Sequence, residues 1–289
     1  MPVALGENCV SAVICCETEQ LFMSEISVYS AGTLPENVPV MSPSIEKTDI
    51  LIITTHPDDE WLFLGAVYPI FCREQGHTGT FAYITTPSWG RLHEALNGLY
   101  SAGVRNFPYF LGFKDIDRSA PEAQKAEFTE EAVILSLVRL FRRVRPLVVV
   151  TQDPVKGEYG HWQHILGANA AFKAVTLAGD PSYDPETAEE YGVWSPLKLY
   201  QHMITDNGIV LDCTSPLSSY GGQNALSVAK AAYKYHKSQQ RYSFTPSVKA
   251  GNYGDLRLYG LTYSAVGPDT GNDMFENIPA ELLCAAKDQ

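Results

Sequence analysis

The sequence has few positively charged residues and no long apolar run. Only 21 of its 289 residues are Lys or Arg, against 33 Asp or Glu, which leaves a formal charge of -12. Because nucleic acids and anionic membranes attract basic surfaces, neither is expected as a partner. No apolar run approaches the roughly 18 residues that a transmembrane helix needs, so no membrane-spanning segment is expected. Hydrophobic residues make up 45% of the chain, which is enough for one large core or two small ones in a soluble protein.

The six cysteines form no recognisable metal or redox pattern. No pair has C-x-x-C spacing, and Cys15 and Cys16 are adjacent, so most are expected to be free thiols. The N-terminus lacks the charged and apolar stretches of a secretory signal. We therefore expect a cytoplasmic protein, or a secreted one if a leader is missing from this sequence. The composition does not predict the oligomeric state.

The first 48 residues differ in character from the remainder of the chain. Residues 21–30 partly alternate apolar and polar side chains and predict a strand, and the proline-bearing stretch 34–43 is typical of a linker. We predict two parts, an N-terminal β appendage with its connector over residues 1–48 and a catalytic α/β domain over residues 49–289.

From residue 49 onward, predicted strands and helices alternate. Connections of this length imply right-handed crossovers and a Rossmann-like, doubly wound, mostly parallel sheet with helices on both faces. The predicted strands are 50–55, 80–86, 107–113 and 147–151, and the predicted helices are 61–72, 91–102, 122–145, 165–178 and 231–240.

The first strand ends in the run His56-Pro57-Asp58-Asp59-Glu60. Ligands of a doubly wound sheet bind beyond the carboxyl ends of its strands, which is where this run lies. One imidazole and three carboxylates at the end of a buried strand are costly unless a cation or hydrogen bonds offset them. The alternative is a Pro-Asp turn whose acids cap the next helix, which explains one carboxylate better than three.

A second polar run, residues 157–164, follows the predicted strand 147–151. It contains His161 and His164, which point to the same side if they lie in a helical turn. Taken alone, they are consistent with two exposed loop histidines. However, only 7 histidines occur in the chain, and three of them fall at the ends of two strands that the sheet brings together. Two imidazoles and one carboxylate match a catalytic zinc site, which keeps a fourth position for water.

These two runs resemble the signatures of the PIG-L, or LmbE-like, de-N-acetylases. That family consists of metal-dependent hydrolases that remove acetyl groups from N-acetylglucosamine-type amides. The matching segments are His-Pro-Asp-Asp-Glu at 56–60 and Tyr-Gly-His-x-x-His at 159–164, supported by Arg91-x-x-Glu94 and by residues 111–115. The resemblance covers residues 49–205, and it is less specific in the later stretch that begins with 198–200 and includes 236–239.

Carried over position by position, the resemblance implies eight site residues. It implies that Zn²⁺, or another divalent transition metal, is bound by His56, Asp59 and His164, that Asp58 is the general base, that His161 and Tyr159 stabilise the oxyanion and help protonate the leaving amine, and that Arg91 and Asp115 hold substrate hydroxyls. For Arg91 the alternative is a salt bridge with Glu94 at the end of a helix.

Four further residues, two of them inside the second motif and two later in the chain, have roles that the sequence leaves open. Relatives often carry an acid where this chain has Gln163, and an amide cannot raise the pKa of an imidazole by charge, so His161 is expected to be less readily protonated here. Trp162 is expected either to stack on a sugar or to lie in the core. His202 and His236 are expected to be structural rather than catalytic.

The leading functional hypothesis is a zinc-dependent hydrolase that deacetylates an N-acetylated amino sugar or glycoconjugate. The substrate would be a small molecule or a glycan with an N-acetyl group. One alternative is a carbohydrate-binding or scaffold protein that retains a metal site without turnover, although an intact Asp58 argues against it. A third hypothesis is a metal hydrolase acting on another amide or an ester.

Overall fold

The computed structural model describes residues 11, 13, 28–30, 32–34 and 38–284. Most of the predicted N-terminal strand, residues 21–30, therefore lies outside the described residues, as do Cys9, Cys15 and Cys16. Of the other three cysteines, Cys72 and Cys213 are buried, Cys284 is partly buried, and all three are free thiols. The predicted division into residues 1–48 and 49–289 stays a prediction.

Seven strands form one mixed sheet in the order β3-β2-β1-β4-β5-β7-β6. The first five pair in parallel, and β7 runs antiparallel to both β5 and β6. The predicted α/β fold with a mostly parallel sheet is confirmed. The strands are β1 (Ile50–Thr54), β2 (Gly79–Thr85), β3 (Tyr109–Phe113), β4 (Val148–Thr151), β5 (Lys198–His202), β6 (Gly208–Val210) and β7 (Leu258–Ser264).

Helices cover both faces of this sheet. They are α1 (Asp59–Leu62), α2 (Trp89–Ser101), α3 (Glu122–Lys125), α4 (Glu130–Val144), α5 (Gly157–Gly160), α6 (Trp162–Leu177), α7 (Pro185–Tyr191) and α8 (Ala225–Tyr233). A π-helix spans Tyr68–Glu74, and short 3-10 turns span Ser218–Tyr220, Lys237–Gln239 and Ala280–Leu282. Within the described ranges, no helix is both long and apolar enough to cross a bilayer.

Side chains of β1 alternate between two separate core layers. Ile50 and Ile52 join the layer beneath α1, α2 and α8, whereas Leu51 and Ile53 join the layer beneath α4 and α6. Every residue of β1 is buried, which explains why its sequence is a continuous apolar run rather than an alternating one.

Three predicted helices are interrupted. The predicted helix 61–72 is interrupted between Leu62 and Tyr68, where Gly65 packs so closely against α8 that an added Cβ would lie 2.7 Å from Ala229 Cβ. The predicted helix 122–145 begins again after Thr129, whose side chain accepts a hydrogen bond from the Ala132 amide at 3.2 Å. The predicted helix 231–240 is instead the end of α8 followed by a 3-10 turn.

The residues before β1 pack against the edge of the sheet rather than forming a free linker. The amide of Ser42 donates to Arg105 O at 2.7 Å, and the amide of Phe107 donates to Ser42 O at 2.9 Å. The Tyr109 hydroxyl donates to Ile45 O at 2.6 Å. This stretch therefore extends the β3 edge of the sheet.

We expect Arg142→Met to lower the free energy of unfolding by about 2–4 kcal/mol, because it removes a buried charge together with its hydrogen bonds. The Arg142 side chain is fully buried and donates to Ala178 O, Asp180 O, Asp184 O and Thr187 Oγ1 at 2.7–3.1 Å. The neighbouring Arg143 is exposed, so Arg143→Met is the matched control, with an expected loss below about 1 kcal/mol. Urea unfolding of both variants tests this, and equal losses would contradict it.

Candidate metal centre

The polar runs at the ends of β1 and β4 meet because these two strands are neighbours in the sheet. Three acceptor atoms face one another there. His56 Nδ1 lies 3.1 Å from His164 Nε2, and Asp59 Oδ2 lies 3.3 Å from each of them. We call these three atoms the acceptor triangle. All three residues are buried, with exposures of 5%, 0% and 2% for His56, His164 and Asp59.

The triangle has the size that a metal ion requires. Ligand atoms placed tetrahedrally at bond lengths of about 2.0–2.1 Å lie about 3.3 Å from one another. The three observed edges of 3.1–3.3 Å match this spacing. The donor atoms of His161, His56 and His164 also lie within 4.8 Å of one another. His161 fits less tightly than Asp59, since its Nδ1 already accepts the Gln163 amide at 3.3 Å.

The neighbours of the two imidazoles leave their lone pairs pointing into the triangle. His56 Nε2 lies 3.1 Å from Gln163 Oε1 and 3.3 Å from Asp115 Oδ1. Two acceptors there place the proton of His56 on Nε2, and Nδ1 is left as an acceptor.

The second imidazole, that of His164, is oriented in the same way by a buried carboxylate. His164 Nδ1 lies 2.7 Å from Glu158 Oε2, which requires a proton on Nδ1 and leaves Nε2 as an acceptor. Gln152 Nε2 is also 2.9 Å from Nδ1, but the closer, charged carboxylate decides the tautomer. His56, Asp59 and His164 therefore fit a divalent cation.

The residues that support this centre were missed as site residues in the sequence. Glu158 is buried, and its other oxygen lies 3.2 Å from His202 Nδ1. Gln152 accepts from the amide and hydroxyl of Thr55 at 2.8 Å and 2.7 Å. Glu158 immediately precedes the Tyr-Gly-His-x-x-His motif, and this position was the one sequence feature that could have identified it as a partner of the motif's histidines. His202 does not join the triangle, which agrees with a structural role.

Asp58 precedes Asp59 of the triangle in the chain and contacts a partly buried arginine. Its backbone has φ 123°, a conformation that strains a non-glycine residue and often marks functional sites. Arg91 Nη2 donates to Asp58 Oδ1 at 2.8 Å and to Pro57 O at 2.6 Å. Burial and the adjacent Asp59 raise the pKa of Asp58 to about 7, against the opposing charge of Arg91.

The charges of the centre favour an anionic Asp59 and a neutral His161. Burial raises the pKa of Asp59, but the imidazoles of His164 and His56 outweigh it and hold this pKa well below its ordinary value. Burial and the neighbouring imidazoles of His56 and His164 lower the pKa of His161 to about 3. A neutral His161 whose Nδ1 accepts an amide proton carries its own proton on Nε2.

Arg91 and Gln163 make contacts that differ from those considered in the sequence analysis. Arg91 does not pair with Glu94; its Nη1 lies 2.7 Å from Asp115 Oδ2, which completes a bridge between Asp58 and Asp115. Gln163 is buried with its carboxamide against His56, and only its backbone amide reaches the ring of His161. An acid at this position would therefore act first on the predicted metal ligand.

The remaining predicted residues line the same region. Asp115 keeps 41% of its side chain exposed beside Arg91. The partly buried ring of Tyr159 lies 5.5 Å from that of His164 and 5.8 Å from that of His161. Trp162 packs edge-to-face on Phe128 at 5.4 Å on the opposite core layer, which favours the core alternative over sugar stacking.

Comparisons with known proteins find a similar family model, similar curated sequences and a similar fold. Residues 51–175 match the family model described as PIG-L: GlcNAc-PI de-N-acetylase. A 1D-myo-inositol 2-acetamido-2-deoxy-alpha-D-glucopyranoside deacetylase from Catenulispora acidiphila is 28% identical over 193 residues, 56% of this chain and 58% of that protein. The protein of the same name from Streptomyces griseus is 31% identical over 162 residues, 46% of this chain and 50% of that protein.

The chain spans 58% of the length of the first of these curated relatives. Among solved structures, the N,N'-diacetylchitobiose deacetylase from Pyrococcus horikoshii superposes with a TM-score of 0.51 at 18% identity, covering 67% of this chain and 70% of that chain. At this identity the superposition shows a shared fold.

We expect Glu158→Gln to weaken binding of a divalent metal about 10–100-fold, because the carboxylate sets the tautomer and basicity of His164. A titration with Co²⁺, whose visible absorption reports coordination, measures the affinity. Glu127→Gln is the control, since Glu127 is an exposed carboxylate that pairs with Lys114. Equal affinities for the two variants would contradict this role for Glu158.

Proposed function

We propose that the protein is a zinc-dependent de-N-acetylase, because residues 51–175 match the family model described as PIG-L: GlcNAc-PI de-N-acetylase. It hydrolyses the amide of an N-acetylated amino sugar or glycoconjugate. The observation that carries this proposal is the acceptor triangle of His56, Asp59 and His164, with the carboxylate of Asp58 beside it.

Zinc bound by His56, Asp59 and His164 supplies Lewis acidity, which polarises an amide carbonyl and makes a water molecule nucleophilic near neutral pH. Asp58 is the general base that takes a proton from the attacking water. Burial and the adjacent Asp59 raise the pKa of Asp58, which helps it hold the proton it receives, and a divalent cation beside it would favour the ionised form that accepts the proton. Arg91 fixes the orientation of the carboxylate through Oδ1.

His161 and Tyr159 complete the proposed catalytic set. Attack on the amide carbonyl places negative charge on its oxygen, and preorganised donors stabilise such charge strongly. Neutral His161 has its Nε2 proton available for this purpose. Burial and nearby carboxylates raise the pKa of Tyr159 above its ordinary value, so its phenol remains protonated and can also donate. Asp58 then returns its proton to the departing amine.

The proposed substrate class follows from the names of the relatives and from the residues beside the triangle. The curated relatives are named as deacetylases of a 2-acetamido-2-deoxy-glucopyranoside. Asp115 is half-exposed and held by Arg91, and the pair is proposed to accept hydrogen bonds from, and donate them to, sugar hydroxyls. A small N-acetylglucosamine derivative is therefore the first substrate to test.

Metal analysis together with an acetate assay tests the proposed function. We expect the purified protein, loaded with Zn²⁺, to release acetate from N-acetylglucosamine derivatives and to lose this activity when a chelator removes the metal. The apoprotein reloaded with Zn²⁺ is the control for irreversible damage. A zinc-loaded protein that releases no acetate from any such derivative would overturn the proposal.

We expect Asp58→Asn to lower the rate of hydrolysis about 10²–10⁴-fold, because an amide cannot accept the proton of the attacking water. Metal affinity should change little, since Asn keeps the hydrogen bond to Arg91 and Asp58 is not part of the triangle. Asp206→Asn, in an exposed turn, is the control. If parent and Asp58→Asn both bind sugar and zinc without turnover, the carbohydrate-binding alternative is favoured.

A further inference from the structure

A buried carboxylate and a buried imidazole lie next to each other on the backbone side of Asp58. Glu60 and His236 are both 0% exposed, and His236 Nε2 lies 2.9 Å from Glu60 Oε1. Glu60 belongs to α1, whereas His236 stands 61 positions beyond residue 175, in the segment between α8 and the 3-10 turn Lys237–Gln239. The metal centre uses neither residue as a ligand.

The carboxylate of Glu60 also holds the backbone of Asp58. Glu60 Oε2 accepts the Asp58 amide proton at 2.7 Å, where Asp58 has the strained φ of 123°. A strained conformation persists only when its surroundings determine it. This hydrogen bond holds the backbone from which the Asp58 side chain projects, and Arg91 holds the carboxylate itself.

The segment that carries His236 is anchored to the helix that carries Arg91. The amide and hydroxyl of Ser238 donate to the two carboxylate oxygens of Glu94 in α2, at 2.7 Å and 2.6 Å. Gly98, one turn further along α2, leaves room for the imidazole, because a Cβ there would lie 3.2 Å from His236 Nε2. Asp58 is thus held on its carboxylate side by Arg91 and on its backbone side by Glu60.

We propose that Glu60 and His236 are positioning residues that hold Asp58 in its reactive orientation. A carboxylate buried without polar partners is costly, and His236 faces the Glu60 oxygen that does not accept the Asp58 amide proton. Removing the imidazole therefore loosens the hold of Glu60 on that amide. The catalytic part of this inference rests on the proposed de-N-acetylase function. The backbone part does not, because it concerns only the conformation of the turn at Asp58.

Two amide substitutions at His236 separate positioning from simple packing. The Gln side chain places its amide nitrogen where Nε2 lies, whereas the Asn side chain is one bond too short to reach Glu60. With Zn²⁺ bound, we expect His236→Asn to lower kcat about 10–100-fold, with KM within about 2-fold and zinc content unchanged, because small misplacements of catalytic groups cost this much. We expect His236→Gln to retain kcat within about 3-fold of the parent.

Hydrogen exchange at the Asp58 amide is the readout that does not depend on activity. It should quicken in His236→Asn and stay slow in His236→Gln, while the amides of β1 and β4 remain protected in both. His77→Asn is the control, since His77 stacks on Phe275 at 3.6 Å, away from the metal centre. It should change neither kcat nor exchange at Asp58.

The possible outcomes distinguish the two proposals. Equal kcat and equal Asp58 exchange in the Asn and Gln variants would overturn the positioning role. Loss of protection throughout the sheet in His236→Asn, or loss of zinc in proportion to activity, would also overturn it in favour of a general structural role. If the parent has no deacetylase activity but Asp58 exchange responds as expected, the inference about the turn stands and the proposed function fails.

Discussion

Mutual repulsion of acceptor atoms is the constraint on which this site depends. His56 Nδ1, His164 Nε2 and Asp59 Oδ2 face one another across 3.1–3.3 Å in a buried space. Nothing favours such an arrangement in a low dielectric unless positive charge lies among the three atoms. Glu158 and Gln163 hold the two imidazoles in the tautomers that produce it. A bound cation, or a proton on His56 that faces Asp59, supplies this positive charge.

The sheet brings the two polar motifs together, and residues from the later part of the chain contact the side chains that orient them. The neighbouring strands β1 and β4 end at the same edge, which brings the two motifs together. Beyond residue 175, His202 contacts Glu158 and His236 contacts Glu60. Each of these histidines meets a buried carboxylate that in turn contacts His164 or the Asp58 amide. The region outside the matched family model therefore has a definite physical relation to the centre.

Local sequence patterns predicted strands well where a continuous apolar run leaves only one favourable structure. The β-branched run before His56 predicted β1, and the apolar run before Gln152 predicted β4, because strands buried on both faces need apolar side chains at every position. Patterns failed where a distant segment intervenes. Gly65, in the interruption after α1, packs against Ala229 of α8, and Arg91 pairs with Asp115 just after β3. Neither partner is close in sequence, so neither contact had a local signal.

The sequence by itself determined the order of the first four strands and of the helices between them, the placement of both polar motifs at strand ends, and the residue types available for a metal and a general base. Those properties depend on the side-chain period and on the chemistry of each residue. Only the tertiary structure decided which atoms of His56, Asp59 and His164 converge, that Gln163 faces His56, and that Glu60 and His236 lie behind Asp58. Such contacts join residues as many as 176 positions apart, and they depend on how the layers pack rather than on any local pattern.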